Sequence, residues 1–148
     1  KHKEKAPFEM AWQKNGYTHL DPKLQAHIQD GGNYGVICGY GNLVVVDFDN
    51  EEVQNKVMPQ LPKTFTVKSG RGLLHLYYIC PDNQTSFKAL APDKETLFDV
   101  QGTGKQIVAP GSTHPNGNTY TVHIDSPITK ISYSDQLYLL FYCHWRRY

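Results

Sequence analysis

Four apolar residues, Leu43 to Val46, are followed by Asp47-Phe48-Asp49-Asn50. Three of the four are β-branched, which predicts a strand that is buried on both faces. Side chains alternate along a strand, so Asp47 and Asp49 should project from one face at its end. Carboxylates that lie so near each other repel, and a bound divalent cation usually neutralises this repulsion. In the alternative interpretation, the two acids only begin the next turn and Asn50 caps a helix.

The remaining pattern of polar and apolar positions predicts further helices and strands on both sides of this run. Asp21-Pro22 is a helix start that Gly31-Gly32 ends, with Leu24, His27 and Ile28 as an apolar stripe and His27 as a packed core residue. A turn of hairpin length, Gly39 to Asn42, precedes the central strand, and 81–95 reads as a surface loop. The other expected helices are Phe8–Lys14, Asn50–Met58 and Ser134–Trp145, and the other expected strands are Tyr34–Cys38, Thr64–Lys68, Leu73–Cys80, Thr96–Val100, Gln106–Ala109 and Thr119–Ile124.

This order of elements predicts an α+β fold with a mixed or antiparallel sheet and flanking helices. A chain of 148 residues is long enough for one domain with a single core, so we expect residues 1–148 to form one domain. The chain opens with Lys1 rather than Met and stops at Tyr148. We therefore expect it to be a piece of a longer protein.

Composition narrows the classes of function only a little. Fifteen Lys and Arg against fourteen Asp and Glu give a net charge of +1, which excludes a histone-like polycation. A nucleic-acid site would have to be local, with basic groups beside an acidic centre. No run of about 18 apolar residues could span a membrane, and no secretory segment is recognisable, so we expect an intracellular, cytoplasmic protein without a membrane partner. Cys38, Cys80 and Cys143 are far apart, so we expect no structural zinc.

Three further groups of residues carry candidate chemistry. Ser69-Gly70-Arg71-Gly72, with His75 on the following strand, would offer backbone N–H groups and basic side chains to an anion such as a triphosphate. Asp99 lies at the end of a strand before a glycine turn and, taken alone, also fits an ordinary turn aspartate. The segment Ala109 to Pro115 holds hydroxyl groups and an imidazole on a stiff loop.

Taken together, these groups indicate one site with three carboxylates, a histidine and an anion-binding turn. Nucleotidyl transfer uses carboxylates around two Mg²⁺ ions, one activating the attacking 3′-hydroxyl and one holding the triphosphate. Mg²⁺ prefers a few carboxylates plus water and phosphate oxygens, which fits so small a number of acids.

The ordered series of motifs resembles the catalytic core of the archaeo-eukaryotic primase superfamily, specifically the bifunctional primase/polymerase (prim-pol) family of plasmids, viruses and mobile elements. No single motif carries the resemblance; their order along nearly the whole chain does. The matching segments are Lys5-Ala6-Pro7 with Trp12, Asn33 to Val36 with Gly39, Val46 to Asp49, Thr66 to Gly72 with His75 to Tyr78, Phe98 to Val100 with Gly104, and Ile107 to His114 with Gly117 and Tyr120.

The resemblance implies an RRM-like sheet that carries the metal-binding acids and an N-terminal α/β part. It implies template-directed nucleotide addition to a DNA template-primer from NTP or dNTP, in replication of plasmid, viral or mobile-element DNA, with a helicase fused or separate. By position, Asp47, Asp49 and Asp99 would bind two Mg²⁺ or Mn²⁺ ions, and His75 would contact the incoming nucleotide. Further nucleotide contacts would come from Ser69, Arg71, Lys105, Ser112 and His114.

Two departures from the family pattern are visible. Leu73 stands where the family usually has a small residue, and the cysteine-rich zinc element of some relatives is missing. The second departure favours primer extension over primer initiation.

Other functions remain open at this point. A non-catalytic nucleic-acid-binding subunit on the same fold should have lost an acid or the histidine, and all four are present. A metal-dependent nuclease or phosphoesterase would use similar acids. A rolling-circle-type endonuclease needs two histidines around an apolar residue on a strand, whereas this strand reads His75-Leu76-Tyr77.

Overall fold

The computed structural model describes Trp12 and residues 16–134 of the chain. Apart from Trp12 and Ser134, the expected helices at Phe8–Lys14 and Ser134–Trp145 lie outside the described residues. The described helices are α1 (Pro22–Gln29) and α2 (Glu51–Val57), with short 3₁₀ turns at Tyr40–Asn42 and Met58–Gln60. The strands are β1 (Gly35–Ile37), β2 (Leu43–Phe48), β3 (Thr66–Lys68), β4 (Leu74–Ile79), β5 (Phe87–Leu90), β6 (Thr96–Gln101), β7 (Gln106–Val108), β8 (Thr121–Ile124) and β9 (Thr129–Lys130).

The main sheet has the strand order β5-β6-β2-β4-β3-β8, and every neighbouring pair in it is antiparallel. Strand β9 adds a short parallel pairing to β4, so the sheet is mixed. Strands β1 and β7 form a separate two-stranded sheet. The expected α+β fold with a mixed, mainly antiparallel sheet is confirmed. No helix within the described residues is both long and apolar enough to cross a bilayer.

Strand β2 lies at the centre of the main sheet and is buried on both faces, as its composition predicts. Val44, Val45 and Val46 are completely inaccessible to solvent. On one face, Val44 and Val46 pack in a core that includes Val53 and Val57 of α2. The opposite face packs against the small sheet, so β2 is held between two apolar layers that fix where its acidic end lies.

Both predicted helix starts are confirmed by their capping bonds. The Asn50 side chain accepts a hydrogen bond from the Val53 N–H at 3.0 Å, and Asp21 accepts one from the Lys23 N–H at 2.9 Å. Helix α1, however, buries none of its residues. The prediction that His27 packs in the core is therefore wrong: the ring is half-buried and its Nε2 lies 2.7 Å from the Asn33 carbonyl oxygen.

One turn and two strands differ from the sequence-based expectations. The turn at Gly39–Asn42 does not close a hairpin, because β1 pairs with β7 while β2 pairs with β4 and β6. The expected loop over 81–95 contains the edge strand β5, and β9 was not predicted at all. Strand β9 has two residues, and β5 has four, of which only Ala89 is buried, so neither has the long apolar alternation by which strands are recognised.

Candidate active site

One row of acidic and basic side chains crosses four neighbouring strands of the main sheet. Asp47 on β2 is paired directly with Asp99 on β6 and with His75 on β4, and Asp99 is paired with Lys88 on β5. Residues directly opposite each other in an antiparallel ladder project from the same face. The row therefore reads Lys88, Asp99, Asp47, His75, with basic groups at its ends and two acids at its middle.

Each of the three predicted metal-binding acids lies near a basic side chain. Oδ1 of Asp47 lies 3.1 Å from Nε2 of His75, Oδ1 of Asp49 lies 3.4 Å from Nη1 of Arg71, and Oδ1 of Asp99 lies 3.8 Å from Nζ of Lys88. The His75 ring is 5% exposed, and its Nδ1 is buried without a hydrogen bond to the described part of the chain.

The site makes one of its carboxylates costly to ionise. The pKa of Asp99 is raised from 3.8 to about 6, mainly by burial and also by the charges of Asp47 and Asp49, against the opposing effect of Lys88 and Lys105. A buried carboxyl beside two other carboxylates is the environment in which a bound cation lowers the electrostatic cost most.

A cleft of about 150 Å³ opens beside this row. Its walls combine acids and basic groups from the main sheet with apolar residues of the small sheet, which covers part of the same face. The lining residues are Asp47, Phe48, Asp49, Ser69, Arg71, Leu73, His75, Gln106, Ile107, Val108 and Tyr120. The cleft thus brings together five of the predicted site residues: Asp47, Asp49, Ser69, Arg71 and His75.

The turn from Ser69 to Gly72 joins β3 to β4 and has a closed geometry. The Ser69 N–H donates to the Leu73 carbonyl at 2.8 Å, and the Gly72 N–H donates to the Ser69 carbonyl at 2.9 Å. Gly72 has φ +85°, a conformation that favours glycine. The Ser69 hydroxyl accepts a hydrogen bond from the Arg71 N–H at 3.3 Å. The turn thus presents a hydroxyl and a guanidinium to the cleft.

Tyr120 belongs to the cleft although it was not a predicted site residue. Its ring lies between the rings of His75 and His114, with centroids 5.9 and 6.0 Å away. Burial and the charge of Asp47 raise its pKa to about 12, while Arg71 opposes this shift. Its place just before β8, inside an alternating segment, was the available sequence signal, but alternation does not show which face meets a cleft.

The remaining candidates lie outside the cleft lining. The Ser112 hydroxyl is buried, where it accepts a hydrogen bond from the Tyr34 N–H at 3.1 Å and donates to the Tyr34 carbonyl at 3.3 Å. The His114 side chain packs against Gly70. Lys105 is exposed and acts on Asp99 only through its charge. Asp99 does not line the cleft but lies directly opposite Asp47 on the neighbouring strand.

The donor set suits a hard divalent cation, since all three acids are oxygen ligands on one face of the sheet or at its end. Within residues 16–134, no three His, Cys, Asp or Glu side chains converge as a ready metal-binding group. Asp47, Asp49 and Asp99 each contact a basic side chain instead. The three acids therefore supply the type of donor atom that such ions prefer, and each carboxylate contacts a basic side chain.

A protein-family model matches most of the chain. The family described as bifunctional DNA primase/polymerase, N-terminal (Prim-Pol), matches residues 1–132. A search of curated proteins finds no significant match.

Proposed function

The chain belongs to the bifunctional DNA primase/polymerase (Prim-Pol) family, and we propose that it adds nucleotides to DNA under the direction of a template. Its substrates would be a DNA template-primer and an NTP or dNTP. The reaction would take place in the cleft beside Asp47, with the triphosphate at the turn from Ser69 to Gly72.

One observation carries this proposal. Asp47 lies in direct register with both Asp99 and His75, and the same cleft is lined by Ser69 and Arg71. Phosphoryl transfer depends mainly on positioning and on stabilising negative charge. The site offers acids for cations on one side and donors for phosphate oxygens on the other, which is the division of roles that nucleotidyl transfer requires.

We assign Asp47, Asp49 and Asp99 as ligands of two Mg²⁺ or Mn²⁺ ions. Such ions, when bound, activate the attacking 3′-hydroxyl and stabilise the leaving pyrophosphate. The raised pKa of Asp99 supports the assignment, because a carboxyl that resists ionisation in the apo protein gains most from a neighbouring cation.

The basic partners of the acids would then turn to the nucleotide. The Arg71 side chain is 51% exposed and reaches Asp49 across 3.4 Å, so little packing holds it there. When Asp49 serves as a metal ligand, the guanidinium is left to bind triphosphate oxygens, for which its fork geometry is suited. His75 is held in place by burial, and when Asp47 serves as a metal ligand, the Nε2–H of His75 is left to donate to the nucleotide.

The biological setting follows from the family resemblance alone. We propose that the activity serves the replication of plasmid, viral or mobile-element DNA, and that a helicase, fused or separate, acts with it.

The direct test is extension of a labelled primer on a DNA template with Mg²⁺ or Mn²⁺ and each class of nucleotide. Wild type should extend the primer, whereas Asp47→Ala/Asp49→Ala should not. The matched control is Asp125→Asn, which removes one exposed carboxylate and should extend like wild type. Strand cleavage would favour a nuclease instead, and single-stranded DNA binding without extension would favour a non-catalytic subunit.

Metal ligation has a separate readout that does not depend on activity. Titration of the protein with Mn²⁺, followed by electron paramagnetic resonance, should show binding to wild type that is weakened at least about tenfold in Asp47→Asn. Equal binding by both proteins would contradict the assignment of Asp47 as a ligand.

A further inference from the structure

The turn from Ser69 to Gly72 rests against a second turn that lies more than forty residues later in the chain. The Gly70 carbonyl oxygen accepts two side-chain hydrogen bonds, from Nδ2 of Asn116 at 3.0 Å and from Nδ2 of Asn118 at 2.9 Å. One carbonyl held by two amide groups is a strong local restraint, because both lone pairs of the oxygen are used.

The close approach of the two turns depends on glycine at position 70. A Cβ atom placed on Gly70 would overlap the Cβ and Cγ of His114. Gly70 is buried, and its φ is not positive, so space rather than backbone conformation is what excludes a side chain here. The contact between the two turns therefore requires the absence of a side chain at position 70.

The second turn, residues 114–118, is closed by hydrogen bonds within itself. The His114 N–H donates to the Asn118 carbonyl at 2.7 Å, and the Gly117 N–H donates to the His114 carbonyl at 2.9 Å. The Asn116 N–H donates to Nδ1 of His114 at 3.0 Å. This second turn is also connected to the cleft through aromatic contacts. The His114 ring lies beside Tyr120, and Tyr120 lies beside His75.

Holding the Gly70 carbonyl also sets the direction of the next N–H group. In a planar trans peptide the C=O and the following N–H point in opposite directions. With the Gly70 carbonyl directed to the asparagines, the Arg71 N–H is directed away from them, towards the Ser69 hydroxyl that it contacts. The two asparagines therefore restrain the peptide that joins Gly70 to Arg71.

We propose that Asn116 and Asn118 are positioning residues that hold the turn from Ser69 to Gly72 in the form that binds the nucleotide triphosphate. This inference rests on the proposed function for the identity of the ligand, but the restraint itself is independent of it. It also assigns His114 a supporting role behind the turn.

Asn118→Ala is the cleanest variant, since the hydrogen bond made by its side chain amide goes to Gly70, whereas Asn116 also accepts one from the Asn118 N–H. Amide hydrogen exchange at Arg71 and Gly72 should be faster by about fivefold or more in the apo variant, the effect of one lost hydrogen bond. In primer extension, the KM for the nucleotide should rise about fivefold, with kcat within about twofold of wild type.

The matched control is Asn83→Ala, which loses a side-chain bond from the Thr85 N–H in a different loop and should leave both readouts unchanged. Gly70→Ala is a second variant, which should separate the two turns and change exchange and KM in the same direction. Exchange and KM in Asn118→Ala and Gly70→Ala equal to those of the Asn83→Ala control would overturn the proposal.

Failure of the proposed function would look different. If wild type does not extend primers, the exchange experiment still tests the restraint, and binding of inorganic tripolyphosphate by calorimetry replaces KM. Weaker tripolyphosphate binding by Asn118→Ala than by wild type would support the positioning role, and equal binding would overturn it.

Discussion

Asp99 is costly to keep ionised, so we predict that Asp99→Asn stabilises the apo protein although it should abolish nucleotide addition. Burial is the main cause that raises the pKa of Asp99 from 3.8 to about 6. The side chain is 16% exposed, so solvent screens little of this cost. At about 1.4 kcal/mol for each pKa unit, the neutral amide should raise the free energy of unfolding by up to about 3 kcal/mol at pH 8.

The effect should depend on pH in a defined direction. Because the folded-state pKa lies above that of the unfolded chain, the native protein binds the extra proton between about pH 4 and pH 6. The contribution of Asp99 to wild-type stability should therefore fall as the pH rises through that window. The advantage of Asp99→Asn should grow from below about 1 kcal/mol at pH 4 to about 3 kcal/mol at pH 8.

Urea unfolding in the presence of EDTA, followed by far-ultraviolet circular dichroism, measures this difference directly. Asp125→Asn serves as the control, because it removes an exposed carboxylate and should change the free energy of unfolding by less than about 0.5 kcal/mol at pH 8. If Asp99→Asn is less stable than wild type at pH 8, or if its advantage does not change between pH 4 and pH 8, burial of an ionised Asp99 does not carry this cost.

Three further predictions concern other parts of the molecule. Asn50→Ala removes the cap of α2 and should lower the free energy of unfolding by about 1 kcal/mol in urea, with no change contradicting the capping role. Gly39→Ala, at φ +86° with Thr103 Cα 2.8 Å from the added Cβ, should cost at least about 2 kcal/mol, clearly more than Gly104→Ala, which has φ +83° but open space. Arg71→Gln should raise the KM for the nucleotide at least about tenfold in primer extension, and an unchanged KM would remove Arg71 from the triphosphate site.

The elements that could be predicted from the sequence are those whose signals are local. The β-branched run before Asp47 predicts a doubly buried strand, and the caps at Asp21 and Asn50 predict two helix starts; the structure confirms all three. The pairing of β1 with β7 could not be predicted, because turn length suggests a hairpin while the partner strand lies some seventy residues later. Non-local pairing depends on which faces bury apolar surface together, and the chain order does not state this.

The candidate site shows the same division. Two acids at the end of one strand and the glycine turn follow from local spacing, whereas the register that sets Asp99 and His75 beside Asp47 is a property of the assembled sheet. Ser112 resembles a site residue in sequence, but its hydroxyl is used by the Tyr34 backbone. The supporting asparagines had no recognisable signal, because Asn-rich turns are common and only the fold brings Asn118 to Gly70.

Templated addition at this site can be measured most directly by insertion of a single nucleotide opposite each of the four template bases, with Mn²⁺, by wild type and by Asp47→Asn. Wild type should add the complementary nucleotide in preference to the other three, and Asp47→Asn should reduce the insertion rate at least about a hundredfold. Insertion that ignores the template base, or that continues unchanged in Asp47→Asn, would contradict a templated reaction at the row formed by Asp99, Asp47 and His75.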